Sequence, residues 1–266
     1  MRTCLSIAGS DCSGGAGIQA DIKTFSANGC FGMSVIVAIV AENTSRVISV
    51  QDVSRSMIEN QMDAIFEDID VHGVKVGMLS NVETMNTVAG KLKEYHPKII
   101  VFDPVMTAKD GCALMEPEAL QTLIGEIIPL TYLLTPNVPE AEIIIGRRIK
   151  NQEEMKYAAK EIHLMGAKNV LIKGGHLEGD PVDLLFNGSE FRTYSHPRIH
   201  TKNTHGTGCT LSSAITANLA KGETIEEAVK LAKEYVTNAI KYSLSIGRGN
   251  GPTNHFYNYN IECEEK

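Results

Sequence analysis

Short, continuous apolar runs alternate along this chain with longer stretches whose apolar positions recur at helical spacing. Cys4–Ala8, Ser34–Ala41, Val74–Val76, Ile99–Phe102, Tyr132–Leu134 and Val170–Ile172 are runs of strand length. Strands that are apolar on both faces belong in a buried, largely parallel sheet. Between them the period changes. Ile18, Ile22 and Phe25 share one helical face, and Ser54–Phe66, Asn81–Tyr95, Glu116–Ile128 and Asn151–Met165 are predicted as further helices. Leu211, Ile215 and Leu219 mark a helix beginning at about Thr207, and Ile225, Val229, Ala232 and Val236 mark another. Asn151 followed by Glu154 reads as a helix start, and Thr224 with Glu227 as a capping box. Strand–helix alternation over most of the length predicts one α/β domain, residues 1–266.

The strand ends are polar or glycine-containing: Gly9-Ser10-Asp11, Glu42-Asn43, Gly77-Met78, Asp103-Pro104, Pro136-Asn137 and Lys173-Gly174-Gly175. Open α/β sheets bind ligands at the carboxyl ends of their strands, so these groups predict one composite site. The segment Thr204–Thr210, THGTGCT, leads straight into a helix. Its glycines let the backbone approach a ligand, and a helix N-terminus attracts anions. Cys209 would face such an anion.

Composition narrows the function. The chain has 266 residues, is 43% hydrophobic and carries a net charge of −7. That balance supports a sizeable core and argues against a nucleic-acid partner. Leu5–Ala8 is too short for a secretory leader and Val35–Ala41 too short to span a bilayer, so no membrane partner and a cytoplasmic location are expected. The six cysteines are scattered without a C-x-x-C pair, which fits a reducing compartment. The loop Gly9–Gly17 lacks the Lys-Ser/Thr ending of a P-loop and the spacing of a dinucleotide fingerprint. It still joins a strand to a helix, so it is either a tight turn or a close backbone approach to a ligand.

Taken together, IAGSDCSGGAGIQADIKTF (Ile7–Phe25), KVGML (Lys75–Leu79), DPVM (Asp103–Met106), TPNVPEA (Thr135–Ala141), IKGGH (Ile172–His176), TKNTHGTGCT (Thr201–Thr210) and GPTNH (Gly251–His255) carry a resemblance. The chain resembles the ribokinase superfamily and, within it, the hydroxymethylpyrimidine and phosphomethylpyrimidine kinases of thiamine biosynthesis. The resemblance implies a three-layer α/β/α sandwich around a mostly parallel sheet. It also implies an ATP- and Mg²⁺-dependent kinase that phosphorylates a hydroxymethylpyrimidine and then its monophosphate, as a homodimer.

The resemblance also assigns residues. Gly206, Thr207, Gly208 and Cys209 would form an anion hole, with Cys209 as base. A helix N-terminus lowers a thiol pKa, so a thiolate partly populated near neutral pH is expected. Asp103 and Glu140 would stand near Mg²⁺ through water. Asn137 and Lys173 would meet the ATP phosphates. Lys233 is a further phosphate candidate, although on an amphipathic helix it reads as exposed. The pyrimidine pocket would use Gly9, Asp21, Met78, Val105 and Cys209, and Thr107–Cys112 would close as a flap.

One position departs from the pattern. Relatives commonly read Gln-Asn-Thr after the second strand; this chain reads Glu42-Asn43-Thr44. A carboxylate only accepts hydrogen bonds, whereas an amide also donates. Glu42 therefore matches an aminopyrimidine edge only with a shared proton, or marks preference for a substrate with two donors. A pyridoxine or pyridoxal kinase is the alternative enzyme, and a non-catalytic pyrimidine-binding sensor the alternative class. The sensor is disfavoured by the joint presence of the anion hole, Cys209, Asp103 and Glu140.

Overall fold

The computed structural model describes residues 1–108, 111–176 and 179–259. Each predicted apolar run becomes a strand of one sheet: β1 (Thr3–Asp11), β2 (Phe31–Glu42), β4 (Gly73–Val76), β5 (Ile100–Phe102), β6 (Leu133–Leu134) and β7 (Asn169–Ile172). Three more strands, β3 (Val47–Asp52), β8 (Val182–Phe186) and β9 (Phe191–Ser195), extend it. The order is β3-β2-β1-β4-β5-β6-β7-β8-β9. Neighbours from β2 to β7 run parallel, and β3, β8 and β9 join antiparallel.

The helices are α1 (Gly17–Ala27), α2 (Arg55–Phe66), α3 (Val82–Tyr95), α4 (Ala119–Thr122), α5 (Val138–Ile145), α6 (Gln152–Leu164), α7 (Thr207–Lys221) and α8 (Ile225–Lys241). Successive strand residues point to opposite faces, and that alternation sorts the core. Leu5, Ile7, Val74, Val76, Phe102, Leu134, Val170 and Ile172 pack in one layer with residues of α2, α3, α5 and α6. Val101, Leu133, Leu171 and Leu185 pack on the other side with α7 and α8, and Cys4 packs there beside Phe25 and Ala217. The result is the expected three-layer sandwich.

Local chemistry sets the helix boundaries. Asn81 and Asn151 cap α3 and α6 by accepting from Thr84 N (2.8 Å) and Glu154 N (3.0 Å). The capping box expected at Thr224 is only half made: Thr224 accepts from Glu227 N (3.3 Å), while the Glu227 carboxylate turns to Lys230 (3.1 Å). The helix expected over Glu116–Ile128 is also broken up. After α4 the chain widens into a π-helical turn (Leu123–Ile127) around Gly125 and closes in a 3-10 turn at Pro129. Glycine is a poor helix former and proline ends the run.

Candidate active site

The chain winds to one side of β1 through β2 and to the other through β4, so the switch point lies between β1 and β4. A crevice is expected outside the carboxyl ends there. A cleft of about 530 Å³ occupies that edge. Glu42, Asp103, Asn137, Glu140, Lys173 and the Gly206–Cys209 segment line it. A smaller recess, sharing Glu42, Val105 and Cys209 with the cleft, is lined by Gly9, Asp11, Lys75 and Met78. A second depression of about 430 Å³, also reaching Lys173 and Thr207, is lined by Asp183, Arg198, Leu211, Lys233 and Val236.

The THGTGCT segment forms the wall common to all three. Gly206 is the N-cap of α7 at φ 78°, a left-handed conformation that disfavours a side chain. A Cβ there would also overlap the Gly15 carbonyl. The amide and hydroxyl of Thr207 both donate back to Thr204 O (3.4 and 2.8 Å). Gly208 and Cys209 follow in the first turn of α7, where helix geometry leaves N–H groups without an intrahelical acceptor. A Cβ on Gly208 would lie 3.2 Å from Asp103 Oδ2, so Asp103 stands directly across from this turn.

Asp11 ties the two glycine loops together. Its carboxylate accepts from Ser13 N (2.7 Å), Gly15 N (3.0 Å), Ala16 N (2.7 Å) and His205 Nε2 (2.8 Å). Burial would raise its pKa, but the bonds from His205, Ser13 and Ala16 hold it well below the usual carboxylate range. An ionised acceptor fixes the hydrogen on Nε2 of His205. Asp11, Glu42 and His205 are also close enough together to hold a metal ion. The Asp11 oxygens, however, are already committed to these four donors.

Beneath the recess lies a buried ion pair. Lys75 Nζ stands 2.8 Å from Asp21 Oδ2, and both side chains are fully buried. Asp21 also accepts from Ser6 Oγ (2.5 Å) and Ser213 Oγ (2.7 Å). The resemblance puts Asp21 in the pocket wall. It is instead under the floor, and Lys75 lines the recess in its place. Burial would lower the Lys75 pKa, but Asp21, with Cys209 and Asp103, keeps it well above the ordinary lysine value.

Cys209 also differs from expectation. Burial pushes its thiol up to about 11, against the pull of Lys75 and with the push of Asp21 and Asp103. The expected helix-terminus acidification is outweighed, and the thiol is the resting form.

On the opposite wall Asp103 Oδ1 accepts from Lys173 Nζ (2.6 Å) and Thr135 Oγ1 (3.1 Å). Burial would lower the Lys173 pKa, but Asp103 and Glu140 raise it. Glu140 closes a capping box on α5: its carboxylate accepts from Asn137 N (2.7 Å), and Asn137 Oδ1 accepts from Glu140 N (2.9 Å). Burial lifts the Glu140 carboxyl to about 7, opposed by Lys173 and reinforced by Asp103. Glu140 is thus both a cap and a cleft carboxyl.

Lys233 is not the exposed helical lysine its position on α8 implied. It is buried and donates to Asp183 Oδ2 (2.7 Å), whose other oxygen accepts from Gly174 N (3.0 Å). Of the predicted flap, Ala108 N donates to Cys112 O (2.8 Å) and Thr107 bridges Ala113. Lys109 and Asp110 lie outside the described residues.

Sequence reasoning gave no role to Lys75, Asp183 or His205. A signal existed for Lys75: a lysine between valines in a strand read as buried. Asp183 sits in a strand that was not anticipated.

The chain is similar to known proteins over nearly its whole length. The family described as phosphomethylpyrimidine kinase matches residues 11–254. The hydroxymethylpyrimidine/phosphomethylpyrimidine kinase of Bacillus subtilis is 48% identical over 254 residues, covering 95% of this chain and 94% of that protein. The thiamine biosynthesis bifunctional protein of Geobacter sulfurreducens is 49% identical over 252 residues, which are 94% of this chain but 51% of that longer protein. Among solved structures, an ADP complex of Bacillus subtilis pyridoxal kinase superposes with a TM-score of 0.90 at 41% identity, covering 96% of this chain and 97% of that one.

Proposed function

Since the chain belongs to the phosphomethylpyrimidine kinase family, we propose that it moves the γ-phosphoryl group of ATP to 4-amino-5-hydroxymethyl-2-methylpyrimidine, and then to the monophosphate so formed. One observation carries this reading. The first turn of α7 faces Asp103 and Lys173 across a cleft that continues into a recess walled by Gly9, Met78, Val105 and Glu42.

ATP occupies the second depression and the cleft between them. Lys173 and the Gly206–Cys209 segment face its phosphates, with Asn137 alongside. The Lys233–Asp183 pair braces the depression rather than offering a free charge. Asp103 and Glu140 supply hard oxygen ligands on one side of the cleft, a donor set that suits hydrated Mg²⁺. When bound, Mg²⁺ offsets the charge of the β- and γ-phosphates.

The pyrimidine sits in the recess. Its hydroxymethyl oxygen bonds to the γ-phosphorus as the bond to the β-bridging oxygen breaks, and that electron pair leaves on ADP. The hydroxyl proton goes to the minority thiolate of Cys209. Only the thiolate fraction can accept that proton, and it grows as pH approaches the raised pKa of the thiol. The preformed N–H groups of the α7 turn stabilise the transferring phosphoryl.

The strand β3 leaves Ile48 and Val50 exposed at the sheet edge. Uncovered apolar edges invite pairing, and a second copy of this chain is the partner we assign. Among the described residues no helix is long and apolar enough to cross a membrane. The five described cysteines are free thiols, in keeping with a cytoplasmic site of action.

Pyridoxal phosphorylation is the second reading, favoured by the 0.90 TM-score to a pyridoxal kinase. ADP release measured with the pyrimidine alcohol, its monophosphate and pyridoxal separates the readings. Turnover of both pyrimidines supports the first. Turnover of pyridoxal alone would overturn it.

A further inference from the structure

Among the described residues Lys75 is the largest polar side chain to be fully buried. Its ammonium has three N–H donors, and among the described residues Asp21 takes the only hydrogen bond it makes. The remaining donors have no partner among the described residues, although Lys75 lines the recess. Gly77 makes room for the ammonium: a Cβ there would lie 2.7 Å from Nζ.

A buried ion pair is poor evidence for stability, because an apolar pair of similar size often serves as well. The other titratable groups lining this recess are Asp11, Glu42 and Cys209, and Lys75 is its one cation among the described residues. An anionic acceptor placed here without Lys75 would meet two carboxylates and no counter-charge.

We propose that Lys75 is an acceptor-binding residue, which donates to the hydroxymethyl oxygen in the first transfer and to the phosphomonoester oxygens in the second. This rests on the reading of the reaction given above. Asp21 holds the ammonium in place and charged. In the first transfer Lys75 stabilises the developing alkoxide. In the second it neutralises an acceptor that is already anionic, so its loss costs more there.

The test compares the two acceptors. Lys75→Met combined with Asp21→Asn removes both charges and leaves no lone buried carboxylate. Charge-assisted hydrogen bonds of this kind correspond to roughly 10- to 100-fold in binding or rate. The double variant should lose kcat/KM for the monophosphate at least about tenfold more than for the alcohol. Calorimetric binding of the monophosphate should weaken in parallel. Gly77→Ala keeps both charges but crowds Nζ, and should shift the same ratio less. A merely structural pair would lower both acceptors equally.

An unchanged ratio in the folded double variant would overturn the proposal. If that variant does not fold, an unchanged ratio in Gly77→Ala overturns it. Wild-type protein that phosphorylates neither pyrimidine would instead remove the underlying reaction, and this inference with it.

Discussion

Two side chains in this site have acid–base properties opposite to those their sequence positions imply. Cys209 begins a helix yet is driven up to about 11 by burial. A base acting from a minority thiolate gains about tenfold for each pH unit below its pKa. Wild-type kcat should therefore climb through pH 7 to 9, and Cys209→Ala should lower kcat about a hundredfold and flatten that slope. A slope that survives in Cys209→Ala would remove Cys209 as the base. Glu140 is raised to about 7, chiefly by burial. Its folded pKa lies above the unfolded carboxyl value, so its contribution to stability is fully present at low pH. That contribution is lost as pH rises through about 7. Glu140→Gln keeps an acceptor for Asn137 N but cannot ionise. Denaturant unfolding at pH 5 and pH 8 should show wild type losing ground to Glu140→Gln at the higher pH.

At the scale of elements, the start of α7 is the most constrained feature. Gly206→Ala forces a left-handed conformation on alanine and drives a Cβ into the Gly15 carbonyl. It should lower Tm and weaken ATP binding together; a normal KM for ATP would mean that the anion turn tolerates rearrangement. This turn and the parallel strands were readable from sequence, because buried strands are continuous apolar runs and THGTGCT precedes a helical period. The strands β3, β8 and β9 were not. VISVQD is almost wholly exposed at an edge, FRTYS alternates weakly, and VDLLF carries an aspartate that faces Lys233. Most of the cleft residues were likewise readable as strand ends. The Asp21–Lys75 pair was not, because sequence periodicity does not reveal which charged side chains meet inside a fold. Lys233 was misread for the same reason: its partner comes from β8.

For the whole molecule, assembly through β3 has a direct measurement. Lysines at Ile48 and Val50 place charge on the apolar β3 edge, and sedimentation of Ile48→Lys/Val50→Lys should shift from dimer to monomer. An unchanged dimer would move the interface elsewhere. Activity per chain in the monomer would show whether each site is self-sufficient. The Asp11–His205 bond has a different consequence, for recombination. It joins positions 194 residues apart, and the glycine loop and the α7 entry touch along the same seam. Chimeras of related kinases with a crossover between them inherit the halves from different parents. Such hybrids should fail unless both halves come from parents with matching loops, whereas exchanges confined to α2 through α6 leave the seam intact.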